Sequence, residues 1–135
     1  MENTSPKEES VKLDEEMQAL DKHIEGLLGV IIESALNKKA QDLKLLDVRG
    51  LVSYTDYFII CSGASDRQVK AIAEAIIGEM RELNYKPLGV EGLSMGNWVV
   101  IDFGDYVVHI FHEEERENYA LEKLWSDAPR LPVGE

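Results

Sequence analysis

The sequence predicts an α/β (α+β) domain, a mixed sheet of about five strands flanked by helices. Three observations predict it. The run YFIIC at residues 57–61 is continuously apolar, the pattern of a strand covered on both faces. Next come Val69, Ile72, Ala73, Ile76, Ile77, Met80 and Leu83 at helical spacing, which make one apolar stripe. Two apolar segments, 98–103 and 106–111, then flank Gly104-Asp105, a hairpin signal.

Each element follows from local chemistry. A first helix starts near Leu13 or Asp14 and runs to about Lys39, because Met17, Leu20, Ile24, Leu27, Leu28, Ile31 and Ala35 recur at helical spacing. Gly26 and Gly29 weaken its middle. LKLLDV at 43–48 reads as a first strand, and Arg49-Gly50 as the turn after it. The second strand is YFIIC. Ser65 and Gln68 fit a capping box opening the second helix, and Asn84 ends that helix. Residues 87–90 read as a third strand whose Pro87 belongs at a strand start or a sheet edge. The hairpin supplies two more strands. A last helix runs from about Glu113 to Trp125, its acids at the N-terminus where the helix dipole favours them. Pro129 and Pro132 mark a frayed tail. The expected order is α-β-β-α-β-β-β-α, with no internal repeat.

Composition bounds the function. The 135 residues suit one domain with a modest core, and 44% are apolar, an ordinary globular figure. The longest apolar run, GLLGVII, is far short of the roughly 20 residues that span a bilayer. The polar start MENTSPKEES is unlike a secretory signal or an Arg-rich transit peptide. A lone cysteine, Cys61, cannot form an internal disulfide and fits a reducing, cytoplasmic compartment. The net charge is −12, from 14 basic and 26 acidic residues. Bare nucleic acid should repel such a chain, since affinity there comes from Lys and Arg set against phosphates. A basic protein is the expected partner instead, and it could sit inside a nucleic-acid assembly. Residues 1–25 hold eight acids against three bases, and the first dozen are too poor in apolar groups to fold alone.

The hairpin carries the candidate site. With Gly104-Asp105 as a two-residue loop, Trp98 pairs with Phe111, Val100 with His109 and Asp102 with Val107. Side chains alternate, so Val99, Ile101, Phe103, Tyr106, Val108 and Ile110 form a uniformly apolar face that belongs under helices. Trp98, Val100, Asp102, Val107, His109 and Phe111 form the opposite, mixed face. A Trp–Phe pair beside Asp and His resembles the anchor and polar rim of a binding patch. The plainer alternative makes Asp102 and His109 diagonal neighbours that satisfy one another at a sheet margin.

Other chemistry is sparse, and no catalytic residue, metal ligand or cofactor is assigned. His109 and His112 lie three apart on a strand and face opposite ways, so they cannot converge on a metal. Cys61 reads as a buried core thiol. The turn CSGASDRQ places Gly63 between a strand and a helix N-terminus, where free N–H groups could take phosphate, but it lacks the P-loop lysine and the spaced glycines of a dinucleotide site. A tight turn with a capped helix is the better reading of it.

Together these residues resemble the ribosomal silencing factors, the Iojap-like family. The resemblance is carried by DYFIICSGASDRQVKAIAE (56–74), VEG (90–92), WVVIDFGDYVVHIF (98–111) and RENYALEKLW (116–125), in order and at matching spacing. It implies a domain over 27–126, an acidic extension over 1–26 and a flexible tail over 127–135. It implies a nucleotidyltransferase-like fold without the enzymes' catalytic set, since Gly63 is followed by Ala64 where those enzymes place Ser. It also implies a non-enzymatic repressor of translation that docks on large-subunit ribosomal protein fourteen and blocks subunit joining when nutrients are short. A role in large-subunit maturation is associated with organellar relatives. Neither a cofactor, nor direct nucleic-acid binding, nor a membrane is implied. On that resemblance Trp98 is the anchor, Val100 and Phe111 extend the apolar patch, Asp102 and Glu91 meet basic side chains, and His109 orients Asp102. Two other readings remain: a nucleotidyltransferase-like enzyme using the Ser62–Asp66 turn, and a module that makes a homodimer through the same hairpin face when free.

Overall fold

The structure is a computed structural model that describes residues 26–119 and 129–131. The expected start of the first helix, the acidic extension before Gly26 and the stretch around Trp125 lie outside the described residues. Helix α1 occupies residues 26–37, and the chain continues as β1 (Gln41–Asp47), β2 (Tyr57–Gly63), α2 (Asp66–Glu82), β3 (Gly89–Glu91), β4 (Trp98–Asp102), β5 (Tyr106–His112), α3 (Glu113–Tyr119) and β6 (Arg130–Leu131). The strands form one mixed sheet in the order β3-β4-β5-β2-β1-β6. Among the described strands only β2 and β5 pair in parallel; the other neighbours are antiparallel.

The sheet has two unlike faces. α1 and α2 cover one, burying Leu27, Ile31, Ile72, Ile76 and Met80 against Leu45, Ile59, Ile101, Val108 and Ile110. The apolar hairpin face therefore lies under helices as its pattern required. The second face carries a smaller core of Leu46, Val48, Phe58, Ile60, Val107 and Phe111. Strand β2 feeds both cores, and all seven of its residues are buried. Cys61 is among them, and burial pushes its thiol pKa up to about 12, so it is an inert core residue.

Caps and turns lock the helices. The Gln68 N–H donates to Ser65 Oγ at 3.1 Å, as in a capping box. The return arm differs: Gln68 Oε1 accepts from the N–H of Ala64 rather than Ser65. Its amide nitrogen donates to the carbonyls of Lys38 and Lys39, both at 3.0 Å. One side chain thus ties the end of α1 to the start of α2. Both helices end in a Schellman pattern without glycine. Lys39 (φ 62°) and Asn84 (φ 66°) take the left-handed position, and the N–H groups of Ala40 and Tyr85 reach back to the carbonyls of Ala35 and Met80. Asn84 ends α2 as expected.

Three expectations needed correction. β1 begins at Gln41, two residues early, because a bulge between Gln41 and Lys44 lets the strand continue through Asp42 at φ 49°. β3 begins at Gly89, two residues beyond Pro87, on the sheet edge where a proline is tolerated. Among the described residues the sheet has six strands, where about five were expected. Inside the tail placed at 127–135, Arg130–Leu131 pair with Leu46 and Leu45 of β1, and the Asp47 N–H donates to the Pro129 carbonyl at 2.9 Å. Two residues between prolines carry no periodicity, so nothing in the sequence announced β6.

The loop from β3 to β4 fixes the tryptophan at the start of β4. Gly92 holds φ +82°, and a Cβ there would run into the Trp98 carbonyl. Gly92→Ala should therefore destabilise the fold by about 2 kcal/mol or more, from left-handed strain plus a backbone collision. Gly78, inside α2 with open space around its Cβ position, should respond oppositely. Gly78→Ala should gain roughly 0.5–1 kcal/mol. Urea unfolding of the two variants checks both signs.

Candidate functional site

The pairing register assembles the site. Across the sheet Trp98 lies beside Phe111, Val100 lies between Glu91 and His109, and Asp102 pairs with Val107. Cross-strand partners share a face, so all six singled-out residues, Glu91, Trp98, Val100, Asp102, His109 and Phe111, stand on the second face.

Their burial divides the work. Phe111 is fully buried and His109 nearly so, whereas Trp98, Val100 and Asp102 are half-buried and Glu91 is exposed. The Trp98 and Phe111 rings stack with centroids 5.1 Å apart and planes at 24°. Phe111 thus backs the indole from below. His109 lies edge-on to Phe58, centroids 5.1 Å apart at 83°.

His109 does not orient Asp102. Asp102 Oδ1 accepts from the Gly104 N–H at 2.8 Å and closes the hairpin turn. The N–H of Trp98 Nε1 donates to His109 Nδ1 at 3.1 Å instead. The register explains the change. His109 is directly opposite Val100, one residue pair away from Asp102, and the turn captures the carboxylate first. Accepting at Nδ1 puts the ring proton on Nε2, which is buried without a partner. An unpaired buried donor costs roughly 1–3 kcal/mol. Burial lowers the His109 pKa to about 4, so the ring is neutral near pH 7 and keeps the lone pair that holds the indole.

Sequence reasoning missed Tyr54 and Phe58 as members of this face. Tyr54 is 64% exposed and its ring lies 6.2 Å from that of Phe58. Burial first, and then the charge of Asp102, raise the Tyr54 hydroxyl pKa, which places the phenol near the Asp102 end of the patch. Tyr54 sits in an irregular loop, and no periodicity ties a loop residue to a sheet face. Phe58 was legible only as part of a strand apolar on both sides.

Three N–H groups of the strand-to-helix turn are already engaged. Ala64 and Gln68 N–H groups go to side chains of the same turn, and the Arg67 N–H goes to Asp66 Oδ1 at 2.8 Å. Ser62 is buried, and its Oγ accepts from Arg116 Nη1 at 2.8 Å. A phosphate at this turn would have to displace those bonds. Among the described residues no group of three His, Cys, Asp or Glu side chains could hold a metal ion. No described helix is long and apolar enough to cross a membrane.

Comparison with known proteins gives a consistent result. The family described as "Ribosomal silencing factor during starvation" matches residues 21–135. Ribosomal silencing factor RsfS of Bacillus subtilis is 43% identical over 104 residues, covering 77% of this chain and 88% of that protein. The mouse protein named "Mitochondrial assembly of ribosomal large subunit protein 1" is 31% identical over 102 residues, which are 73% of this chain and 45% of that one. A crystal structure of a Chromobacterium violaceum protein superposes with a TM-score of 0.74 at 35% identity, covering 76% of this chain and 86% of the other.

Neutral, buried His109 makes stability depend on pH. The unfolded histidine takes a proton near its ordinary value of 6.5, while the folded one resists until about 4. Between those values the unfolded state binds more protons, so stability falls as pH falls, by up to about 1.4 kcal/mol per pH unit. Urea midpoints at pH 7.5 and pH 5.5 should differ clearly in the native protein and much less in His109→Gln.

Proposed function

The chain belongs to the ribosomal silencing factor family, and from that premise we propose that it binds the large ribosomal subunit through ribosomal protein fourteen and sterically blocks subunit joining. It lowers translation when nutrients are short and performs no chemical conversion. The location is cytoplasmic, where the ribosomes work.

One observation carries this reading. A stacked Trp98, held by a neutral histidine, stands beside half-buried Val100, with Asp102 and Glu91 on the same face and exposed Tyr54 toward the Asp102 end. Aromatic anchors ringed by polar groups are where binding energy concentrates. The acids and the overall charge of −12 suit a basic ribosomal protein, because complementary charge speeds encounter and selects against acidic partners. The name of the mouse relative refers to large-subunit assembly, which agrees with the same subunit as partner and leaves room for a maturation role. Residues 27–126 form the silencing domain in this reading, residues 1–26 an acidic extension, and the tail closes the sheet through β6. A free homodimer would use the same face and compete with the ribosome for it.

Trp98→Ala should weaken binding to isolated ribosomal protein fourteen by about 2 kcal/mol or more, roughly 30-fold. Tyr54→Ala removes an exposed ring and should weaken binding while leaving the urea midpoint unchanged. Titration calorimetry with folded variants checks both. Native affinity in the two variants would remove this face from the interface.

A further inference from the structure

The chain is strongly acidic, yet one concavity is lined by cations. Lys38, at the end of α1, faces Arg67 and Lys70 of α2 across a cavity of about 530 Å³ whose other walls are Ala71, Ala75 and a single acid, Glu74. Among the described residues these three cations make no ion pair or side-chain hydrogen bond. Two other described cations do find partners: Arg49 grips Asp47 and lies over the Tyr57 ring, and Arg116 donates to Ser62. Three like charges around one hollow repel each other, and among the lining residues a single acid, Glu74, four residues after Lys70 on α2, offsets them. The hollow is also held in shape, since Gln68 fastens the Lys38 and Lys39 carbonyls to the first turn of α2.

We propose that the groove formed by Lys38, Arg67 and Lys70 receives backbone phosphates of ribosomal RNA when the protein sits on the large subunit. This rests on the reading above and adds a second contact to it. Position supports it. Arg67 opens α2 just after β2 ends, and Trp98 is level with Phe111 and Ser62 at that same end of the sheet. The docking face and the groove lie on opposite faces of the sheet at one end, so in this proposal RNA beside the docked partner reaches the groove around that end.

The net charge does not forbid this contact. At physiological salt the Debye length is about 8 Å, so distant carboxylates are screened while cations touching a phosphate are not. The long-range repulsion does make free RNA a poor ligand. Docking through Trp98 supplies a high local concentration of phosphate, and a contact too weak to form in solution then forms on the subunit. The protein should therefore bind the large subunit more tightly, and with more salt dependence, than it binds isolated ribosomal protein fourteen.

The test compares the native protein with the triple variant Lys38→Gln, Arg67→Gln, Lys70→Gln. Glutamine is a good helix former, so α2 should persist. A control, Arg81→Gln with Lys86→Gln, removes two charges outside the groove. Large-subunit co-sedimentation is measured from 50 to 200 mM salt, together with titration against isolated ribosomal protein fourteen. The triple variant should bind subunits several-fold more weakly at 100 mM salt. Its plot of log affinity against log salt should be shallower by about 0.9 for each phosphate lost. Affinity for the isolated protein should be native, and the control should keep the native slope. Native affinity and slope on subunits would overturn the groove while leaving the silencing reading intact. Equal losses on subunits and on the isolated protein would overturn it too, assigning the cations to a protein contact. A native protein that ignores subunits altogether would remove the silencing reading and the groove with it.

Discussion

Strand β2 buries every one of its residues, and the architecture follows from that constraint. A strand apolar on both sides needs cover on both faces and hydrogen-bonded neighbours on both edges. On one edge it pairs in parallel with β5, which requires a long crossover; α2, β3 and β4 provide it. On the other edge it pairs with β1, which β6 then closes. α1 and α2 cover one face with the large core. Phe58 and Ile60 must be covered on the other, and the core that covers them includes Phe111 and Val107, on which Trp98 and Val100 rest. The candidate docking face is thus the outer layer of the second core, and its rigidity comes from the strand that makes that core necessary.

This arrangement explains why a histidine sits where an aliphatic residue would pack more simply. His109 is flanked by Phe58, Phe111 and Trp98 and leaves one ring nitrogen without a partner. Its return is a single hydrogen bond to the indole N–H. An indole held by both a stack and a hydrogen bond loses little rotational freedom on binding, which is the advantage of an anchor ordered beforehand. Depression of the histidine pKa belongs to the same arrangement, since only the neutral ring accepts that bond.

Much of this was legible in the sequence because it is periodic. The apolar run at β2, the stripe of α2 and the alternation around Gly104-Asp105 gave the central strand, the main helix, the hairpin register and its two faces. What escaped has no period. β6 is two residues long, Tyr54 lies in a loop, and the bulge in β1 depends on one left-handed Asp42. The His109–Asp102 pairing was misread for a different reason. Sequence spacing gives faces, but it does not say that a turn N–H will claim Asp102 before a diagonal imidazole can. The capping residue shows the same limit: Ser65 and Gln68 announced a helix start, while the reach of Gln68 to the end of α1 spans some thirty residues and is visible only in three dimensions.

A stacked aromatic face and a charge suited to a basic protein support the proposal that the molecule works by occupying space. The most direct measurement is the rate and extent of subunit joining, followed by light scattering as small subunits are mixed with large subunits preincubated with the protein. The account predicts that the joining amplitude falls in proportion to the fraction of large subunits occupied, without any nucleotide. Full joining on large subunits shown to carry the bound protein would contradict it.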